Sequence, residues 1–249
     1  MQIGPFEVVE VVGEGATGVV YRAVGDVAVK VLRDADPVAV HRFRRETRIA
    51  GSLASRHLVR ILDVGETWFA MPYYERGSLA RTVPLSLPEV VRVAAEVAQA
   101  LDQLHGAGVV HRDVKPSNVL IGDEGAVLAD FGLARTADST QLTREGQLVG
   151  TAHYLAPELI EGEPADAASD IYAFACLLYE AATGAPPFAG RNDAEIGYAH
   201  LVEPPPRPAI APAFADALLL GLAKNAAERP TSATALARML HHASKPSPG

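Results

Sequence analysis

Cysteine is nearly absent: Cys176 stands alone among 249 residues. No intrachain disulfide can form, which excludes a disulfide-built secreted scaffold and fits a reducing compartment. Positive charge is also short, and the formal net charge of -8 disfavours a broad nucleic-acid or anionic-membrane surface. No apolar run is long enough to span a bilayer; Ile171 to Tyr179 is too short. The first residues, Met1 to Phe6, lack the charged-then-apolar pattern of a signal peptide. These absences predict a cytoplasmic chain with no membrane segment of its own, with tethering through a longer protein left open. What is present is ordinary for a folded protein: apolar content of 49% and charged content of 21%, over a length that suits one large domain or two lobes.

The first part of the chain reads as strands. Phe6 to Val12, Val19 to Ala23 and Val27 to Leu32 are β-rich and separated by turn residues, which predicts an antiparallel meander. A helix is expected from Pro37 to about Leu53, then two more strands to about Tyr74. The second part reads as helices. Ser86-Leu87-Pro88-Glu89 has capping-box form, and Val90, Val93, Ala94, Val97, Leu101 and Leu104 share one helical face. Ile171 to Tyr179 is apolar all round, which predicts a helix buried in the middle of its lobe with Asp170 at its start as an N-cap. Strands first and helices later predict an α+β fold in two lobes. The expected domain runs over 1–243, with a small lobe of about 1–74, a large one of about 75–243, and a tail or linker stub at 244–249.

Four features carry chemistry. Gly13-Glu14-Gly15-Ala16-Thr17-Gly18 is followed by a β-branched strand rather than a helix, so the dinucleotide reading fails. A glycine-rich hairpin can instead bring backbone N–H groups close to phosphates. Lys30 lies in a strand apolar on both faces, sharing one face with Ala28 and Leu32. A buried lysine needs an anion, and Glu46, in line with Phe43, Ala50 and Leu53, is the candidate. The densest polar cluster is His111-Arg112-Asp113-Val114-Lys115-Pro116-Ser117-Asn118, between apolar flanks. Past it, two apolar strands joined at Gly122-Asp123-Glu124-Gly125 would bring Asn118 beside Asp130. An amide oxygen and a carboxylate at adjacent strand ends suit Mg²⁺ held partly by phosphates and water. The eight histidines show no zinc-type spacing, and Cys176 in its apolar helix reads as inert core.

With these blocks in view, the sequence resembles the eukaryotic-like Ser/Thr protein kinases of bacteria over almost its whole length. The matched blocks, in the family's order, are the glycine loop, Val27-Ala28-Val29-Lys30, Glu46, His111-Arg112-Asp113, Asp130-Phe131-Gly132, Ala156-Pro157-Glu158, Asp170 and Arg229. The resemblance implies a bilobal fold, with a small antiparallel β lobe holding one helix and a larger, mainly helical lobe. It also implies transfer of the γ-phosphate of ATP to protein Ser or Thr hydroxyls. Lys30 would bind the α- and β-phosphates with Glu46 holding it, and Asp113 would accept the substrate's proton. Lys115 would neutralise the moving phosphoryl group, and Asn118 with Asp130 would hold Mg²⁺ or Mn²⁺. Residues 13–18 would cover the phosphates. Val20, Ala28 and Leu120 would sandwich adenine, with Met71 as gatekeeper and Tyr74 offering a hinge N–H. Pro72 departs from the glutamate common at its position, yet keeps the carbonyl that the family uses there.

Lys115 and Thr151 match the Ser/Thr-directed form, in which that threonine contacts the catalytic aspartate and lysine. Asp170 would steady the backbone of the His111-Arg112 turn, and Arg229 with Glu158 would form a structural ion pair. Arg112 and Arg135 could form a pocket for a phosphorylated residue, with Thr143 and then Thr140 the candidates for autophosphorylation. A homodimer is allowed by the family, although no interface is legible in the sequence. A pseudokinase scaffold normally lacks one of Lys30, Asp113, Asn118 and Asp130, all present here. A small-molecule phosphotransferase of related fold usually lacks the glycine loop and Ala156-Pro157-Glu158.

Overall fold

The computed structural model describes residues 1–15, 18–33, 37–53, 55–130, 152–190 and 192–245; at 38, 39, 42, 46 and 50 it describes the backbone alone. Six strands form one antiparallel sheet: β1 (Gln2–Ile3), β2 (Phe6–Gly15), β3 (Gly18–Ala23), β4 (Val27–Leu32), β5 (Asp63–Val64) and β6 (Trp68–Pro72). Their spatial order is β1-β2-β3-β4-β6-β5. β2 and β3 extend into the glycine motif until Gly15 pairs with Gly18. Glycine is required at position 18, because a Cβ there would collide with the Val31 carbonyl on β4.

Alternation along β4 decides what the sheet presents to each side. Val29, with Val8, Ala23 and Ala70, belongs to an outer cluster closed by Phe6 and Trp68, whose rings meet edge to face at 5.6 Å. Ala28 joins the main core, which also holds Phe43 and Phe69. Phe43 comes from α1 (Pro37–Ser52), the helix of the small lobe, and lies 5.9 Å from the Phe69 ring.

Helices build the large lobe: α2 (Leu87–Gly106), α3 (Pro157–Ile160), α4 (Ala167–Thr183), α5 (Asp193–Val202), α6 (Pro212–Gly221) and α7 (Ala233–Ala243). The Glu89 carboxylate accepts from both the N–H and the hydroxyl of Ser86, as the capping-box sequence predicts. Every residue of α4 from Ser169 to Tyr179 is buried, so this helix is the lobe's central post. Full burial of one such Leu or Phe contributes roughly 1.5–3 kcal/mol. One expectation is corrected here. The N-cap of α4 is Asp166, which accepts from the Ser169 N–H at 2.9 Å, and Asp170 lies inside the first turn. Ala167, Ala168 and Ser169 carry the helix back one turn, since alanine favours helix without any apolar periodicity to reveal it.

Between the lobes lies a hairpin, β7 (Val119–Gly122) with β8 (Gly125–Leu128), closed at the expected Gly122–Gly125 turn. It is held on three sides. Leu128 exchanges backbone bonds with His57 and Val59, the Ile121 N–H donates to the Gly77 carbonyl, and the Glu96 carboxylate of α2 accepts from the Ala126 N–H. The hairpin therefore cannot shift without breaking bonds to both lobes.

Behind α4, His200 of α5 is fully buried, with its Nδ1 2.8 Å from the Tyr172 hydroxyl and its ring against Phe188. Lys224 stands nearby, donating to the His200 and Ala199 carbonyls, and His153 is a further titratable neighbour. Burial, then the Lys224 charge, pushes the His200 pKa from 6.5 down to about 3. Between those pH values the unfolded chain binds a proton that the folded chain refuses. Stability present above pH 6.5 is thus lost as pH falls toward 3. Urea unfolding from pH 7 to 4 should show a loss steeper by about 1 kcal/mol per pH unit in the parent than in His200→Gln. Equal slopes would reject this assignment.

Candidate active site

The polar loop at 111–118 is fastened from below. Asp170, 1% exposed, accepts from the backbone N–H groups of His111 at 2.7 Å and Arg112 at 2.8 Å. Arg112 has φ of 66°, a left-handed conformation uncommon outside glycine, and the carboxylate's two bonds hold it there. His105, at the end of α2, places Nε2 2.8 Å from the same carboxylate. Nothing in the sequence around His105 announces this contact. Its only local sign is a position at the end of the buried stripe that Leu101 and Leu104 continue.

His111 is fully buried, and burial lowers its pKa, so the ring is neutral at physiological pH. Nδ1 accepts from the Asp113 N–H at 3.3 Å, which places the ring proton on Nε2, where it donates to the Ala129 carbonyl at 3.0 Å. A single imidazole thus ties Asp113 to the residue before Asp130. The Asn118 amide donates to the Asp113 carbonyl at 2.7 Å and to its Oδ2 at 2.9 Å. Lys115 Nζ lies 2.9 Å from the same Oδ2. This geometry spends the amide nitrogen of Asn118 on Asp113 and leaves its amide oxygen to face elsewhere.

The hairpin register brings Asn118 next to Asp130, because the Ala129 N–H donates to the Asn118 carbonyl at 2.8 Å. Asp130 has φ of 61°, and the residues after it, including Phe131 and Gly132, lie outside the described residues. Its Oδ1 meets Lys30 Nζ at 2.7 Å. Lys30 is 4% exposed, and the Asp130 carboxylate answers the demand of its burial for an anion. Glu46 occurs on α1 as expected, but its side chain lies outside the described residues. Lys30, Asp113, Lys115, Asn118 and Asp130 are therefore brought into one site at the junction of the lobes.

Around it, Val20 pairs with Lys30 and Ala28 with Met71 in the sheet register, while Leu120 projects from β7. Tyr74 packs on the core beside these residues, and burial raises its phenol pKa. Gly13, Glu14 and Gly15 end β2 and Gly18 begins β3. Ala16, Thr17, Arg135, Thr140, Thr143 and Thr151 lie outside the described residues. At the base of the site, Arg229 makes a two-pronged pair with Glu158 at 2.6 and 2.8 Å and donates to the carbonyls of Ala223, Ala168 and Lys224. The Tyr154 hydroxyl donates to Glu180 of α4 at 2.5 Å.

The donor set fits a divalent cation only in part. Among the described residues no group of three or more His, Cys, Asp or Glu side chains could hold a metal. An amide oxygen and one carboxylate leave most of a coordination shell to phosphate and water, the habit of Mg²⁺ rather than of a dedicated protein cage.

The comparisons with known proteins agree with this geometry. The model of the protein kinase domain matches residues 6–242, and the chain belongs to that family. It is 39% identical over 260 residues to the DNA damage-responsive serine/threonine-protein kinase RqkA of Deinococcus radiodurans, covering 95% of this chain and 39% of that protein. It is 39% identical over 262 residues to the serine/threonine-protein kinase PknH of Mycobacterium bovis, covering 96% of this chain and 44% of that one. The chain thus spans less than half the length of these curated relatives. Among solved structures, the PknI kinase domain of Mycobacterium tuberculosis superposes with a TM-score of 0.74 at 28% identity, covering 98% of both chains. The α+β expectation holds, with an antiparallel β lobe and a helical lobe.

The Asp170 anchor is directly measurable. Asp170→Ala strands two buried backbone donors and removes the acceptor of His105, which should lower stability by about 2–5 kcal/mol in urea unfolding. A change below about 0.5 kcal/mol would show that the loop is held by other means.

Proposed function

We propose that this chain is a Ser/Thr protein kinase that transfers the γ-phosphate of Mg-ATP to protein hydroxyls. The observation that carries the reading is the convergence of Asp113, Lys115, Asn118, Asp130 and buried Lys30 at one inter-lobe site. Phosphoryl transfer needs in-line positioning and charge neutralisation more than covalent help, and this set supplies both. Asp113 accepts the proton of the incoming Ser or Thr hydroxyl as its oxygen bonds to the γ-phosphorus. The bond from that phosphorus to the β-phosphate oxygen breaks, ADP leaves with its electron pair, and Asp113 returns the proton to solvent. Lys115, already beside Asp113, offsets charge on the moving group. Lys30 binds the α- and β-phosphates, with Glu46 holding it in place. Asn118 and Asp130 would hold a divalent cation, Mg²⁺ or Mn²⁺, which would neutralise phosphate charge.

Lys115, Thr151 and the names of the relatives support Ser and Thr as acceptors. Protein substrates, not nucleic acid, suit the acidic surface. No helix among the described residues is long and apolar enough to cross a membrane. A single cysteine, Cys176, allows no intrachain disulfide, which fits a reducing cytoplasmic setting for this domain. Arg112 beside Asp113 supports control by autophosphorylation, at Thr143 first and Thr140 second.

One assay tests the set. Labelled ATP with Mg²⁺ and a generic protein substrate should place label on Ser and Thr of the substrate and, by mass spectrometry, on Thr143 or Thr140. Lys30→Met and Asp130→Asn should each cut labelling by at least about 10²-fold. Persisting label in both variants would refute the reading, and full activity without loop phosphate would remove the autophosphorylation step.

A further inference from the structure

Five of the chain's 18 prolines fall within the nine residues 204–212, between the end of α5 and the first residue of α6. The strip Glu203-Pro204-Pro205-Pro206-Arg207-Pro208 takes no part in the site described above. Each proline ring fixes φ at about −65°, and a residue that precedes proline is driven to extended backbone. Glu203, Pro204, Pro205 and Arg207 all precede a proline, so Pro206 alone among these six and Pro208 lack that second restraint. Glu203 accordingly has φ of −81° and ψ of 135°, close to polyproline II.

A polyproline II strand turns once in three residues, which makes three ridges. Burial along 203–208 follows that period. Pro205 is half-buried and Pro208 buried, so one ridge rests on the large lobe. Glu203 with Pro206, and Pro204 with Arg207, are exposed and make the two outward ridges. Both ends are fastened. The Glu203 N–H donates to the Ala199 carbonyl of α5, and Arg207 donates to Asp216 at 2.6 Å and to the Pro212 carbonyl at 3.1 Å, both on α6. Among the described residues, the carbonyls of 203–206 accept no backbone hydrogen bond. Val202, 56% exposed, extends the apolar surface at the start of the strip.

We propose that this strip is the docking ligand for a partner domain with an aromatic-walled groove, of the kind that reads polyproline segments. The chemistry matches on three counts. Tyrosine and tryptophan walls take proline rings by apolar contact, and the dipeptides 203–204 and 206–207 sit one turn apart, about 9 Å, as two successive slots require. Phenol and indole donors on those walls supply hydrogen bonds to the carbonyls of 203–206. The Arg207 guanidinium, half exposed beside Asp216, offers a flat face on which a ring stacks. The strip is already extended and held at both ends, so docking orders little that was free. The association stands apart from the phosphotransfer reading, since no residue of the strip belongs to that site.

Titration of the whole chain into one SH3 domain and one WW domain, each isotope-labelled and followed by NMR, tests the docking. At least one of the two should bind, with its shifts confined to the aromatic groove. Pro204→Ala with Pro206→Ala, on the outward ridges, should weaken that binding at least about tenfold, whereas Pro205→Ala, on the inward ridge, should change it less than about threefold. A peptide of residues 202–209, whose extended form needs no fold around it, should displace the chain from the groove. It keeps the test decisive if the double variant fails to fold. No binding to either domain up to about 1 mM would overturn the proposal. So would binding that the folded double variant retains, which places the groove on another proline segment. A peptide that fails to displace the chain would also overturn it, as would equal losses from Pro205→Ala and the double variant, which mark a purely structural strip.

Discussion

The buried carboxylate of Asp170 is the interaction on which the site depends. A loop carrying Asp113, Lys115 and Asn118 has no reason of its own to hold Arg112 in a left-handed conformation. Two backbone N–H bonds to one carboxylate, itself fixed on the fully buried helix α4, supply that reason. Because α4 is the centre of the large lobe, the loop inherits the rigidity of the core. The Arg229–Glu158 pair extends the arrangement by tying the segment at 156–158 to the turn before α7. Precise placement of a few side chains is what phosphoryl transfer asks of a protein, and the fold meets it with buried, fully hydrogen-bonded anchors.

The second constraint is the ion pair between Lys30 and Asp130. It joins the sheet of the small lobe to the end of the inter-lobe hairpin. Both partners are expected to act on the nucleotide, Lys30 on phosphate and Asp130 on metal. Held together, they neutralise one another and keep a buried ammonium from standing alone. The left-handed φ of Asp130 marks the same point of the chain as a place where local preference yields to the site.

Much of this was legible from local pattern. The inter-lobe hairpin follows from two apolar runs around Gly122 to Gly125, and with it the meeting of Asn118 and Asp130. The burial of Lys30 follows from a strand that is apolar on both faces. What could not be read is choice among distant partners. The pair of Lys30 with Asp130 spans 100 positions of the chain, and strand alternation does not announce it. His105 meets Asp170 across 65 residues, and no spacing announces that contact. The start of α4 is hidden because alanines extend a helix without leaving a periodic mark, so Asp166 rather than Asp170 caps it.

The central claim is that Asn118 and Asp130 hold a divalent cation for a nucleotide gripped by Lys30. Calorimetric titration of ATP into the protein, with Mg²⁺ and with chelator, tests it without relying on turnover. The account predicts binding at least about tenfold tighter with Mg²⁺ in the parent chain, and loss of that gain in Asn118→Ala. Equal affinity with and without Mg²⁺ in the parent, or an undiminished gain in Asn118→Ala, would contradict it.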